Sequence, residues 1–159
     1  MINNYLLRAI EDKSPHIQPH HIDKVLRKGD DFERGIAVSH PNASKENIDK
    51  ALKDPEWEIR RDAAIHPNAT EKQISKGLED DHPYVREDAA LNPNATEKHL
   101  DKALQDDDPD VMNASVVNDN ATKNHLDLGA MDEDHYVRSD SLHRLRINDY
   151  KKWVILLQD

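Results

Sequence analysis

The sequence predicts an all-α solenoid of about five two-helix repeats with capping helices, and three observations carry that prediction. A short element recurs at a fixed interval: His-Pro-Asn-Ala-Ser begins at His40, His-Pro-Asn-Ala-Thr at His66, Asn-Pro-Asn-Ala-Thr at Asn92 and Asn-Asp-Asn-Ala-Thr at Asn118, 26 residues apart each time. A period in the range of about 20–50 residues is the mark of one supersecondary unit stacked on its copies. Each unit holds two stretches whose apolar residues follow helical spacing. A single unit offers roughly seven buried apolar groups at about 1.5–3 kcal/mol each, against an ordering cost of roughly 1.5 kcal/mol per residue. One unit alone cannot fold, so stacking is compulsory.

The elements follow in order. Residues 1–13 place Ile2, Tyr5, Leu6 and Ile10 at helical spacing, as one amphipathic capping helix would. Repeats are expected over residues 14–143, because Pro15, Ile22 and Leu26 stand 26 residues before Pro41, Ile48 and Leu52. The first helix of a unit is exemplified by Thr70 to Leu78. Thr70 is the expected N-cap, Gln73 its capping-box partner, and Ile74, Gly77 and Leu78 share one face. The middle position of that face is mostly Ala or Gly, as close helix packing requires. The second helix is expected to open at Asp54-Pro55, His82-Pro83 and Asp108-Pro109, since proline is tolerated in a first turn. It buries Ile59, Ala63, Ala64; Val85, Ala89, Ala90; Val111, Ser115, Val116; and Val137, Ser141, Leu142. The proline of the Asn-Pro-Asn-Ala element then ends it. Residues 144–159 read as a C-terminal capping helix in which Trp153, Val154, Ile155, Leu156 and Leu157 cover the last repeat, with a dimerisation patch as the alternative. The whole, 1–159, is read as a single domain, a monomer or weak homodimer.

Composition narrows the functional classes. The chain is 36% hydrophobic and 34% charged, and its mean hydropathy is -0.95, yet its apolar residues fall at regular places, which argues for order. With 32 acidic and 22 basic residues the formal charge is -10, which opposes binding to a phosphate backbone. The chain has no cysteine, so disulfides, thiolate metal sites and cysteine nucleophiles are excluded. There is no basic leader followed by an apolar run, and no stretch approaches the roughly 18 apolar residues of a membrane span. A soluble cytoplasmic protein is the expectation. No nucleophile elbow, Walker loop, dinucleotide fingerprint or zinc-protease pattern occurs, so neither an enzyme nor a cofactor is expected.

The alternation of Asp-x-x-Pro-x-Val-Arg-x-x-Ala-Ala with Asn-Pro-Asn-Ala-Thr and a Leu-x-x-x-Leu helix resembles the leucine-rich repeat variant family and, more broadly, HEAT-like α-solenoids, over roughly residues 15 to 143. The residues that carry the resemblance are Asp54, Ile59, Arg60, Ala63, Ala64, Pro67 and Asn68, then their counterparts from Asp80 to Asn94, then Asp132, Val137 and Arg138. The resemblance implies a right-handed superhelix of paired short helices, one of them 3₁₀ in some members of the variant family, and a protein-binding surface. Met112 departs from the pattern where Arg60, Arg86 and Arg138 recur, and Asp119 replaces the proline of Pro41, Pro67 and Pro93.

Most side chains that could carry chemistry have structural readings. Asp54 with Arg60, Asp80 with Arg86 and Asp132 with Arg138 share a six-residue spacing and read as a ladder of charge-assisted hydrogen bonds between turns of adjacent repeats. Asn42, Asn68, Asn94 and Asn120 read as a stacked row bonded to local backbone. The acidic turns Asp30-Asp31, Glu79-Asp81, Asp106-Asp108 and Asp132-Asp134 would line one edge as a carboxylate ridge, a docking edge for a basic partner. His16 and His20 have zinc-ligand spacing, but Pro19 separates them, so no metal site is expected. The residues left for function lie on the outward face of the second helices: Trp57, Glu58, Tyr84, Glu87, Asp88, Asp110 and Tyr136. They point to an interaction scaffold that holds another protein, a basic partner being one candidate, on its concave face or acidic edge. An acidic decoy of a nucleic-acid-binding protein and a HEAT-like nucleic-acid-processing protein are the alternatives.

Overall fold

The computed structural model describes residues 2–156, and among them it contains eleven α-helices and no strand. After α1 (Asn4–Glu11), five first helices alternate with five second helices. The first helices are α2 (Pro19–Lys28), α4 (Lys45–Ala51), α6 (Glu71–Gly77), α8 (Glu97–Ala103) and α10 (Lys123–Gly129). The second helices are α3 (Asp31–Val38), α5 (Trp57–Ala64), α7 (Pro83–Leu91), α9 (Pro109–Val117) and α11 (His135–Leu156). The protein is an all-helical repeat solenoid, and both helices of each repeat are α rather than 3₁₀.

Local chemistry sets the helix boundaries. First helices open with reciprocal caps: the Thr70 N–H donates to Gln73 Oε1 at 2.9 Å, Thr96 N–H to His99 Nδ1 at 3.0 Å and Thr122 N–H to His125 Nδ1 at 3.0 Å. Pro83 and Pro109 stand at the first position of α7 and α9 as expected. Pro55 does not: α5 starts at Trp57 after the N-cap Glu56, because the residue in register with Pro83 is Trp57. The helix-ending proline also proves dispensable. α9 stops at Val117 although Asp119 occupies the proline position, and the Asn118 amide terminates it through Asn120 N–H to Asn118 Oδ1 at 2.8 Å.

The second helices pack neighbour on neighbour from α1 through α3, α5, α7, α9 and α11, whereas the first helices contact chiefly their own partners. The second helices thus form the more closely packed layer of the stack. Helix α1 closes this row by packing on α3; Ile2 and Ile10 are buried there, but Tyr5, expected on the buried face, is 85% exposed. Between the layers sit Ile22, Ile48, Ile59, Ile74, Val85, Leu100, Val111 and Leu126, each nearly inaccessible. Gly77 permits the close approach: a Cβ there would lie 2.8 Å from Ala89 Cβ and 3.2 Å from Ala64 Cβ.

Three rows of polar bonds stitch repeat to repeat. Arg34, Arg60 and Arg86 each clamp the carboxylate 20 residues ahead with two parallel bonds, to Asp54 at 2.8 and 3.0 Å, Asp80 at 2.7 and 2.9 Å, and Asp106 at 2.8 and 2.9 Å. The ladder expected between turns of adjacent repeats is therefore present, with each arginine paired to the aspartate in the turn of the following repeat rather than to the one six residues back. The aspartate six residues back offers Arg60 only its backbone carbonyl, at 2.9 Å. Arg138 likewise bonds the Asp132 carbonyl, at 2.6 Å. The asparagine row bonds the preceding repeat rather than local backbone: the Asn68 amide donates to the Pro41 and Ala43 carbonyls at 2.9 and 3.0 Å, and Asn94 to those of Pro67 and Ala69 at 2.7 and 3.2 Å. The third row ends the second helices. His66 Nε2 bonds the His40 carbonyl at 3.1 Å, the Asn92 amide those of Ala64 and His66 at 2.6 and 3.1 Å, and the Asn118 amide those of Ala90 and Asn92 at 2.7 and 3.1 Å.

The C-terminal end departs from the expected separate cap at 144–159. Helix α11 runs unbroken through residue 144 because no proline or turn residue interrupts it, and Arg144 places its guanidinium on the Val116 and Asn118 carbonyls, where an asparagine amide would stand. Leu142, expected in the core, is 47% exposed, since no further repeat packs on it among the described residues. The expectation that Trp153 to Leu157 cover the last repeat lies outside the residues whose side chains are described.

Candidate functional site

On a second helix that buries Ile59, Ala63 and Ala64, the opposite face carries residues 58, 61, 62 and 65, spaced i, i+3, i+4, i+7. The same register gives 32, 35, 36 and 39 on α3; 84, 87, 88 and 91 on α7; 110, 113, 114 and 117 on α9; and 136, 139, 140 and 143 on α11. Because consecutive second helices touch, these stripes join into one continuous surface, the one that the family resemblance implies to be concave.

Six of the seven predicted residues gather on α5, α7 and α9. Trp57 is half-buried and stacks on His82, with ring centroids 4.1 Å apart and planes 4° from parallel. Tyr84, 49% exposed, leans on both rings at 5.5 and 5.4 Å. The Arg61 guanidinium lies 5.6 Å from the Trp57 centroid. Glu58 and Asp110 are exposed, and Glu87 and Asp88 half-buried. Tyr136 is 65% exposed on α11 and touches His135, away from the other aromatics.

Electrostatics separates this face from the turn edge. On the edge, the carboxylates of Asp54, Asp80 and Asp106 are occupied by Arg34, Arg60 and Arg86. Burial works against the Asp80 charge, but the Arg60 guanidinium and the His82 N–H outweigh it and hold the carboxyl below its usual range. On the face of the second helices the pairing is sparser, with Arg61 standing 3.5 Å from both Asp62 and Asp88. Glu87 is pushed up by burial and by the charges of Asp110, Asp88 and Asp108; Asp88 is pushed up by burial, against the pull of Arg61 at 3.5 Å. Asn113, one repeat on from Glu87, donates to Asp140 at 3.1 Å, whereas Glu87 faces Ala114 in the matching place and makes no ion pair among the described residues.

Two features escaped sequence reasoning. Asp62 and Asp140 enlarge the acidic surface, and the i+4 relation to Glu58 and Tyr136 was the available signal. The second is a cavity of about 570 Å³ at the N-terminal end of the face, between α1, α3 and α5, with Glu58 and Asp62 on its rim. It arises from a missing side chain at Gly35, which no motif reports. Among the described residues no group of three or more His, Asp or Glu side chains is placed to hold a metal, and no helix is long and apolar enough to cross a membrane.

No protein-family model matches the chain, and no curated protein matches it either. Among solved structures it is similar to the designed armadillo repeat protein YIII(Dq.V1)4CPAF in complex with peptide (KR)4, at 15% identity over 88% of this chain and 90% of that one, with a TM-score of 0.43. It is also similar to the designed armadillo repeat protein YIII(Dq)4CqI, at 14% identity over 86% and 89% of the two chains, with a TM-score of 0.40.

Proposed function

We propose that this protein is a non-enzymatic interaction scaffold that holds a basic segment of another protein along the concave face of its second helices. One observation carries the reading: the face presents Glu58, Asp62, Glu87, Asp88, Asp110 and Asp140 with Arg61 as the one lysine or arginine among the described residues of its stripes, while Arg34, Arg60 and Arg86 are held inside the ladder. Glu87 and Asp88 are held above their usual range by burial first and by neighbouring carboxylates second, and an incoming lysine or arginine favours their charged forms against both. Tyr84 and Trp57 supply aromatic surface for the stems of the same side chains. Among the relatives suggested by the repeat pattern, kinship with HEAT-like solenoids is favoured over the variant with a 3₁₀ helix, since both helices of each repeat are α. The edge is a poorer basis for a nucleic-acid decoy, because the ladder arginines already neutralise Asp54, Asp80 and Asp106 there.

Titration of a fluorescent lysine/arginine peptide tests the reading. Binding should weaken steeply with added salt, and Glu87→Gln with Asp110→Asn should weaken it on the order of tenfold while leaving the melting temperature unchanged or higher, since repulsion on the face is removed. Unchanged affinity in that double variant, or equal binding of an acidic peptide, contradicts the proposal.

A further inference from the structure

The cavity at the N-terminal end of the concave face is built by a residue type. At the position where Arg61 and Glu87 project from α5 and α7, α3 carries Gly35, and a Cβ placed there would meet nothing nearer than Asp62 Oδ2 at 3.9 Å. The opening is about 570 Å³, within the roughly 300–1,000 Å³ of pockets that enclose organic ligands. Its floor is apolar: Ile10, Ile36, Ile59 and Phe32, the last 72% exposed. The rim is charged with one sign, Glu11, Asp31, Glu56, Glu58 and Asp62 against the single Lys13. A further polar group waits in the wall. His40 is 1% exposed and lines the cavity, and its Nε2 has no hydrogen-bond partner. The equivalent His66 Nε2 bonds the carbonyl one repeat back, but the Ser14 carbonyl in the matching place, although near enough to raise His40's proton affinity, is out of hydrogen-bonding geometry.

We infer that this cavity is the anchor pocket of the face and takes one bulky apolar side chain of the bound segment, whose flanking residues are lysines or arginines. The inference rests on the reading of the concave face given above and adds the specificity that reading lacks. An apolar floor open to water gains by covering an apolar group. The five-to-one excess of carboxylates on the rim repels an acidic neighbour and rewards a basic one. A segment with only basic residues would satisfy the rim and leave the floor wet.

The test compares two labelled peptides of lysines and arginines, one with a central leucine and one with serine in its place, by fluorescence anisotropy on the full chain. The leucine peptide should bind on the order of tenfold tighter, as burial of one apolar side chain predicts. Gly35→Phe, which fills the cavity from a site where a side chain has room, should abolish that preference in a chain that still folds, as a melting curve would verify. Phe32→Ala, at an exposed position, should reduce the preference without unfolding the chain, as a melting curve would verify. Equal affinity of the two peptides for the wild type, or a preference that survives Gly35→Phe in a folded variant, overturns the anchor pocket while leaving the basic-segment reading intact. Failure of both peptides to bind overturns both.

Discussion

The joint between the second and third repeats and the joint between the fourth and fifth are built on one template, yet they are held differently. At the first, Arg60 clamps Asp80 with two bonds and the apolar core runs through without interruption, part of a cluster extending from Ile2 to Ala114. At the second, Met112 stands in the arginine's place, and among the described residues the Asp132 carboxylate caps the Asp134 N–H and meets no guanidinium. Val116, Leu126 and Val137 form a separate small core there. Asn113 with Asp140, and Arg144 on the carbonyls of α9, are what replace the missing clamp. A shared repeat pattern thus fixes geometry, while single identities at the repeat's charged positions set how strongly each joint is held.

Variants at these joints can break the contrast. The largest loss is expected for Asn92→Ala, which removes three hydrogen bonds at a fully buried site and strands the Ala64 and His66 carbonyls; it should lower the unfolding free energy by about 3 kcal/mol in urea titrations. Arg86→Ala should lower it by about 2 kcal/mol, because Asp106, whose side chain is 12% exposed, loses its clamp. Met112→Ala should lower it by less than about 1 kcal/mol. Conversely, Met112→Arg should restore the clamp on Asp132, add about 1 kcal/mol and slow amide exchange in α10 and α11. If Met112→Arg leaves exchange in those helices unaltered, the missing clamp is not what distinguishes the last joint.

A finer contrast lies in the helix-ending row, where His40 and His66 accept the N–H two residues on in the first half as Asn92 and Asn118 do in the second, and His66 also bonds the preceding repeat. Burial lowers the proton affinity of His40 and His66, and likewise of His21 and His99. Each of the four accepts a backbone N–H at Nδ1, a bond that only the neutral ring can make. The unfolded chain therefore binds protons first. The stability these rings contribute is present above the unfolded pKa near 6.5 and declines as pH falls below it. Glu87 and Asp88, whose folded affinities are raised, act oppositely at lower pH and soften the decline. His66→Asn should change stability at pH 7 by less than about 1 kcal/mol and flatten the slope between about pH 6.5 and 5. An unaltered slope would mean that His66 does not titrate with unfolding.

What the sequence made legible follows from how the information is stored. The helices, the Thr70–Gln73 cap and the buried Val85, Ala89 and Ala90 are local patterns, readable within one repeat. The partner of Arg60 was not readable, because a 26-residue period makes Asp54 and Asp80 equivalent and only packing chooses between them. The asparagine amides reach across repeats for the same reason. On the candidate face, Tyr84, Glu87 and Asp88 emerged by subtraction of residues with structural work, whereas the Gly35 cavity is a missing side chain and becomes visible only when its neighbours surround it.

The most direct test of the account is a map of where a basic peptide sits. Backbone amide signals of the isotopically labelled protein should be followed by NMR during titration with a lysine/arginine peptide. The account predicts shifts concentrated at residues 58, 61, 62, 84, 87, 88 and 110 on the second helices, with the first helices Glu71–Gly77 and Glu97–Ala103 unmoved. Shifts confined to the turns at Asp106–Asp108 and Asp132–Asp134, or spread evenly over both faces, would contradict it.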